Sequence, residues 1–393
     1  MGLFSRTKEV NKSSAKLSVI LRERGYVYQH SGTLEEVTDG TQRTLYLGID
    51  PTSDSMHVGH LQAMLVLRRF LEAGHTVILV LGGGTGMIGD PSGKSEERTL
   101  LDEKTLKQNA AGIKAQAKQL FRSDRFKMMN NLDWLASLGV IDFLRDIGKH
   151  FSVNAMMQRD SVKARLENRE QGISYTEFSY MLLQSYDFLH LHTTERCDLQ
   201  VGASDQWGNM VSGVDLIRRK TGDTVYAFSF PLLVNRSTGK KFGKTEGGAV
   251  WLDPKKTSPF DFYQFWFNTA DDEVGEYLLK MTLLPKTEID EVMTAQSADP
   301  SSRPAQKRLA YEVTALVHGA EEADKAKDFK NIPAVPEGKL RDAIKDFSTS
   351  ELRRLVEQGG VSVVDGEKIT TIDAVVSAGS TIRIGKNKFY QVK

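Results

Sequence analysis

The chain has 393 residues, 40% hydrophobic and 26% charged, enough apolar material for more than one hydrophobic core. Lysine plus arginine total 52 and aspartate plus glutamate 51, so the formal net charge is +1. That balance excludes a protein that coats nucleic acid through bulk positive charge, and the single cysteine, Cys197, excludes an intrachain disulfide or a zinc site built on several thiolates.

A lone cysteine also points to a reducing compartment. Residues 1–16 are mildly basic and lack the apolar stretch of a secretory signal. Cytoplasmic localisation is the expectation, with an organellar transit peptide as the alternative. No apolar run approaches the roughly 18–20 residues that span a bilayer, so no membrane partner is expected.

Residues 13–25 (SSAKLSVILRERG) predict a short amphipathic helix with serine caps and a glycine stop. Residues 44–49 predict a strand ended by Asp50-Pro51-Thr52. From His57 onward, Val58, Leu61, Met64, Leu65 and Leu71 recur at helical spacing, with Asp54 and Ser55 as caps and Gly74 as the stop. Residues 76–81 form a continuous apolar run, as a buried parallel strand requires. Strand, helix and strand in succession make a βαβ unit and imply an α/β sheet. Residues 100–195 read as mostly helical, with a strand near Asp198–Val201. Pro231 to Lys256 reads as a basic loop, 257–330 as helical and 331–338 (NIPAVPEG) as a linker. The remainder reads as a small α+β unit. Its helix, Ser350–Gln358, stops at Gly359-Gly360, a hairpin turns at Asp365-Gly366, and a strand pair lies within Thr381–Val392.

Three motifs carry chemistry. Residues 84–89 fit GxGxxG, but Pro91 would interrupt the helix that a dinucleotide site needs; the glycines instead give a ligand close access to backbone. Residues 239–245 (GKKFGKT) imitate a Walker A loop with three residues between the glycines instead of four, leaving a basic loop suited to a polyphosphate. His57-Val58-Gly59-His60 puts two histidines on one helical face, where they could ligate a metal, but no third ligand of matching spacing is near. At a helix N-terminus after a strand, they suit donation to phosphate oxygens, and Gly59 lets an adenine approach the backbone.

HVGH followed by KFGKT resembles the signature pair of class I aminoacyl-tRNA synthetases. Residues 46–60 (YLGIDPTSDSMHVGH), 82–98 (GGGTGMIGDPSGKSEER), 174–188 (SYTEFSYMLLQSYDF) and 199–209 (LQVGASDQWGN) resemble motifs of the bacterial-type tyrosyl-tRNA synthetases. The C-terminal segment resembles the small RNA-binding domain that these enzymes share with certain ribosomal proteins. The resemblance runs from about Tyr46 to the end.

It implies an α/β fold: a Rossmann-like parallel-sheet catalytic domain over residues 1–247, a helical tRNA-contacting domain over 248–332 and a small α+β RNA-binding domain over 339–393. It implies a homodimer formed through an insertion at roughly 110–170, with Phe143, Leu144, Met156 and Met157 as candidate interface residues. The implied activity is ATP-dependent ligation of L-tyrosine to its tRNA through a tyrosyl-adenylate. ATP is then a substrate, and Mg2+ accompanies it without a dedicated protein metal site.

Carried over residue by residue, the resemblance sets Thr52, His57 and His60 at the ATP phosphates. Lys94, Arg98, Lys241, Lys244 and Thr245 would grip the departing pyrophosphate. Gly48, Asp50, Gly59, Asp205 and Lys244 would line ATP, with Asp205 at the ribose. Tyr46 and Asp187 would meet the phenolic hydroxyl of tyrosine, and Asp90, Tyr180 and Gln184 its ammonium group. Gln200 and Gln206 would complete the tyrosine site, Gln206 near the reacting carboxylate. Tyr180, Gln184 and Asp187 lie four and three apart, a polar stripe that a purely structural helix inside an α/β domain has no need of. The sequence departs from the family at Ala203, where the second glycine of GGSDQ usually stands; the added methyl would lie toward the ribose.

RNA contact is expected from Arg353, Arg354, Arg383, Lys386 and Lys388, within a segment (339–393) that carries ten Lys/Arg against seven Asp/Glu. Two rival functions are a tryptophan-specific class I synthetase and an RNA-binding scaffold on a synthetase body. The first would not be expected to set an acid like Asp187 against the substrate ring. The second would be free to lose His57, His60, Lys241 or Lys244.

Overall fold

A computed structural model gives the fold; it describes residues 15–92, 100–121, 123–167, 172–234, 242, 244–245, 248–328, 332–364, 366–385 and 388–393. The chain divides into two compact units, 1–249 and 250–393.

The first unit is built on the parallel sheet that the βαβ pattern predicts. Its strands are β1 (Gln29–His30), β2 (Thr44–Ile49), β3 (Thr76–Leu81), β4 (Phe126–Asn130), β5 (Cys197–Ala203) and β6 (Tyr226–Phe230). They lie in the order β1-β6-β5-β2-β3-β4, all parallel except β1, which runs antiparallel to β6. Leu45, Tyr46 and Leu47 of β2 and Val77 to Leu81 of β3 are buried. A strand covered on both faces needs such an unbroken apolar run, which is why β3 was legible in sequence. β4 was not foreseen, because its FKMMN sequence is half-covered and does not alternate.

The helices of this unit are α1 (Leu17–Glu23), α2 (Leu34–Thr38), α3 (Val58–Glu72), α4 (Glu103–Leu120), α5 (Leu132–Leu135), α6 (Val140–Asp146), α7 (Val153–Met157), α8 (Asp160–Glu167), α9 (Tyr175–Glu195) and α10 (Trp207–Thr221). Gly25 and Gly74, both at positive φ, follow α1 and α3 as predicted. The caps differ. Lys16 precedes α1 without a side-chain cap, and the predicted caps Ser13 and Ser14 lie outside the described residues. α3 is capped by His57, not by Asp54 or Ser55, because the Pro51–Met56 segment stays a loop up to the histidine.

Because β2 lies between β3 and β5, the chain winds outward in both directions from it. Ligand crevices in such sheets open at the carboxyl ends of the strands flanking that switch point. Asp50 follows β2, Gly82 follows β3, and the turn Ser204–Gln206 follows β5. Residues 85–87 form a single 3-10 turn, not the start of a helix, so the GxGxxG resemblance does not build a dinucleotide fingerprint. Short strands β7 (Lys244–Thr245) and β8 (Gly248–Ala249) pair antiparallel.

The second unit begins with α11 (Pro259–Phe267), α12 (Val274–Met281), α13 (Lys286–Ala298), α14 (Pro304–His318) and α15 (Ala320–Lys327). The stretch read as a linker is instead partly strand. β9 (Ala334–Val335) pairs parallel with β14 (Lys388–Val392), and β10 (Gly338–Lys339) pairs with β12 (Val375–Val376). While β10 and β12 form a separate two-stranded sheet, β14 and β9 join β11 (Val361–Val363) and β13 (Thr381–Ile384) in a small four-stranded sheet ordered β11-β13-β14-β9. Helices α16 (Leu340–Ala343) and α17 (Thr349–Glu357) accompany it, over a core that includes Leu340, Leu352, Val361, Ile382 and Val392. α17 starts on a capping box between Ser348 and Glu351. Among the described residues, no helix is long and apolar enough to cross a membrane.

Candidate active site

The floor of the crevice is Tyr46 on β2, whose ring lies against Phe188 of α9 (centroids 5.4 Å apart). Tyr46 is directly opposite Gln200 on β5, so both side chains leave the same face of the sheet. Asp187, one turn further along α9 than Gln184, is 4% exposed. Trp134 Nε1 donates to its Oδ1 (2.7 Å) and Asn131 Nδ2 to its Oδ2 (2.9 Å). Burial outweighs these two donors and raises the Asp187 carboxyl to about 7, helped by the charge of Asp50. Burial and the Asp187 charge together hold the Tyr46 phenol well above its ordinary range.

Asn131 extends the network. It also donates to Thr85 Oγ1 (2.9 Å), while its own Oδ1 accepts from the Gly84 N–H (2.8 Å). The Thr85 hydroxyl donates to Asp50 Oδ1 (2.8 Å), and Tyr180 OH donates to Asp50 Oδ2 (2.9 Å). Asp50 is thus tied into the pocket wall. Only glycine fits at position 82, since a Cβ there would sit 2.0 Å from Asp50 Oδ1 and 2.6 Å from Thr85 Oγ1.

On the other side, Asp90 accepts from the Ser92 N–H (3.0 Å) and from Gln206 Nε2 (2.7 Å). Asn209 Nδ2 donates to Gln184 Oε1 (3.0 Å) and more weakly to Gln206 Oε1 (3.4 Å). Gln200 Oε1 is buried and has no hydrogen-bond partner among the described residues. The structure therefore gathers Tyr46, Asp50, Asp90, Tyr180, Gln184, Asp187, Gln200 and Gln206 at one crevice. The sequence reading missed Thr85, Asn131, Trp134 and Asn209. Asn209 lies inside a quoted motif. Asn131 and Trp134 follow a strand that was not foreseen.

The two histidines stand at the entry to α3. His57 Nδ1 accepts from the Gly59 N–H (3.0 Å), and His60 Nδ1 accepts from the His57 N–H (3.2 Å). Both rings therefore use Nδ1 as an acceptor, which in the neutral form leaves the proton on Nε2. Desolvation, aided by His57, lowers His60 to about 3, so this imidazole is neutral across the physiological range. Thr52 is exposed, and Gly48 has open space where a side chain would be. Asp205 lies in the turn after β5. Ala203 is extended with φ −73°, so its methyl sits on an unstrained backbone. Lys94, Arg98 and Lys241 lie outside the described residues, and Lys244 and Thr245 are described only as strand β7. Among the described residues, no three His, Cys, Asp or Glu side chains group to hold a metal ion.

The chain matches the family model described as tRNA synthetases class I (W and Y) over residues 38–332. It belongs to that family. Among its class I synthetase relatives, a Staphylococcus saprophyticus protein named tyrosine–tRNA ligase is 43% identical over 95% of this chain and 97% of its own length. One of the same name from Roseiflexus castenholzii is 46% identical over 91% of this chain and 85% of its own. A C-terminally truncated mitochondrial tyrosyl-tRNA synthetase from Aspergillus nidulans superposes with a TM-score of 0.72 at 34% identity, covering 80% of this chain and 93% of that one.

The second unit offers a separate basic surface. Lys368, Ser362, Arg383 and Phe389 are successive cross-strand neighbours, so they form one row on a face of the small sheet. Around Lys368, Ser362 and Arg383, Gly359, Gly360, Gly366 and Gly385 line a hollow of about 430 Å³. Arg353, Arg354 and Lys388 are exposed, and Lys386 lies outside the described residues.

Proposed function

We infer that this chain is a tyrosine–tRNA ligase. The observation that carries the reading is the buried carboxylate of Asp187, held by two donors beside Tyr46. A phenolic hydroxyl is the substrate group such an acceptor fits. A phenyl ring would leave buried polar groups unpaired, at a cost of about 1–3 kcal/mol each.

The reaction has two steps. A carboxylate oxygen of tyrosine attacks the α-phosphorus of ATP, forming the mixed anhydride as the bond to pyrophosphate breaks. The terminal ribose hydroxyl of the tRNA then takes the tyrosyl group, and AMP leaves. Neither step requires a covalent enzyme intermediate. What the chain supplies is alignment and donors placed where phosphate charge builds up. Asp90, Tyr180 and Gln184 receive the ammonium group, Gln200 lines the tyrosine site and Gln206 lies toward the carboxylate. Gly48, Asp50, Gly59 and Asp205 line ATP, which enters as its magnesium complex. The Nε2–H groups of His57 and His60 and the hydroxyl of Thr52 face the phosphates. Lys94, Arg98, Lys241, Lys244 and Thr245 hold the pyrophosphate.

Residues 248–332 and 339–393 are read as the tRNA-contacting helical domain and small RNA-binding domain, the latter through the row at Arg383 and the exposed Arg353 and Arg354. The protein is read as a cytoplasmic homodimer. Supporting this, Val140, Ile141, Leu144, Val153, Met157, Leu166 and Tyr175 are exposed apolar side chains within one stretch of chain. Of the four candidates named from sequence, Leu144 and Met157 are exposed, Met156 is buried and Phe143 packs against the core.

The test is amino-acid-dependent exchange of pyrophosphate into ATP, run with each of the twenty amino acids. Exchange with tyrosine alone is expected. Exchange with tryptophan and not tyrosine would overturn the assignment, and exchange with none would favour the scaffold.

A further inference from the structure

α4 begins five residues after Arg98 and carries two rows of different character. Leu106, Ile113, Ala117 and Leu120 are buried and anchor the helix. The adjacent row, Asn109, Gly112 and Gln116, faces the loop between β2 and α3. Asn109 Nδ2 donates to the Pro51 carbonyl (2.9 Å). Gln116 Oε1 accepts from the Met56 N–H (2.8 Å), and its Nε2 donates to Ser55 Oγ (2.8 Å), whose hydroxyl in turn donates to the Met56 carbonyl (2.8 Å). Between these two amides the helix lies so close to the loop that a Cβ on Gly112 would be 1.8 Å from the Asp54 carbonyl oxygen. Both ends and the middle of the Pro51–Met56 segment are therefore fixed by three residues of one helix face.

This segment has no secondary structure of its own to define where Thr52 stands or how His57 enters α3. We propose that Asn109, Gly112 and Gln116 are positioning residues for the phosphate end of the reaction. They hold the loop so that Thr52 and the His57–His60 pair meet the triphosphate in register. The inference rests on the reading that this chain forms tyrosyl-adenylate. Gln116 matters most, because it binds the amide immediately before His57. Displacing groups at a reacting centre by about 1 Å can cost on the order of 100-fold in rate.

Gln116→Met keeps the length of the side chain and removes both hydrogen bonds; Asn109→Ala removes the other brace. Gln116→Glu can still accept from the Met56 N–H and serves as the conservative rescue. In tyrosine-dependent pyrophosphate exchange, Gln116→Met is expected to lower kcat about 10- to 100-fold, with the KM for tyrosine within about twofold of wild type. Gln116→Glu should recover most of the loss. Amide hydrogen exchange in peptides covering Pro51–Met56 should accelerate at least about tenfold in Gln116→Met while the melting temperature changes little. An unchanged kcat, or a kcat loss matched by an equal loss of tyrosine binding, would overturn the proposal while leaving the ligase reading intact. A wild-type chain without tyrosine-dependent exchange would overturn the ligase reading. In that case the amide exchange of the same pair of proteins still decides the bracing, and equal protection in both would end it.

Discussion

The indole of Trp134 donates to the carboxylate of Asp187 across 2.7 Å, with both groups buried and His190 stacked flat on the indole's other side (centroids 4.5 Å apart). A buried carboxylate costs free energy unless donors surround it. Here the donors come from the end of β4 and from α5, and the acceptor from α9. The pocket around Asp187 therefore joins two stretches of chain, residues 131–134 and α9.

Trp134→Phe keeps the ring and removes the donor. Losing a hydrogen bond to a charged group costs about 1.5–3 kcal/mol. The KM for tyrosine in pyrophosphate exchange should rise at least about tenfold while the KM for ATP stays put. Equal changes in both constants would mean that Trp134 supports the domain, not the pocket.

The Asp187 carboxyl titrates at about 7, above its ordinary 3.8. Only the ionised form is a pure acceptor, so tyrosine binding should weaken as pH falls through 7, by about tenfold for each unit below it. The stability term has the opposite trend. A carboxyl whose pKa is raised by folding binds protons more tightly in the native state, so its contribution falls as pH rises from about 4 to 7 and is level above that. Melting curves should show Asp187→Asn gaining on wild type across that window. A constant gap from pH 5 to 8 would contradict the shift.

His60 is neutral because desolvation lowers its pKa to about 3, and its Nδ1 is already occupied by the His57 N–H. Removing one preorganised donor to a developing anion costs about 100- to 1,000-fold in kcat. His60→Ala should show a loss of that order in exchange, with no change in the KM for tyrosine. Between pH 6 and 9, the wild-type rate should carry no titration from this ring.

Val140 and Ile141 are 68% and 69% exposed on α6. A charge there is tolerated by a monomer and not by an apolar interface. Ile141→Glu should sediment as a monomer with its melting temperature lowered in a concentration-dependent way. A dimer of undiminished affinity would move the interface elsewhere.

Much of this was legible because local signals coincide with tertiary need. β3 is read from an apolar run and β2 from the strand that Asp50-Pro51-Thr52 ends; the roles of Tyr180, Gln184 and Asp187 follow from the family resemblance, and helical spacing adds that they share one face. Asn131, Thr85 and Asn209 became site residues only when the sheet brought β4, the glycine-rich turn and α10 together; hydrogen bonds between distant stretches leave no period in a sequence. β9 and β10 were hidden for another reason. Two-residue strands beside Pro333 and Pro336 carry no alternation and look like a linker. His57 replaced Asp54 and Ser55 as the cap because imidazole is an uncommon capping acceptor, and residue preference favours the commoner choice.

The first unit's sheet ends at one border in β1, two residues running against the other strands, and at the other in β4, where Lys127 pairs with Glu195 at 2.7 Å. Long, flat, uncharged borders recruit strands from other molecules and seed aggregates. One border here offers only a two-residue template of reversed polarity, and the other carries a charge. Crowded copies of this protein thus gain little from edge-to-edge stacking of this sheet.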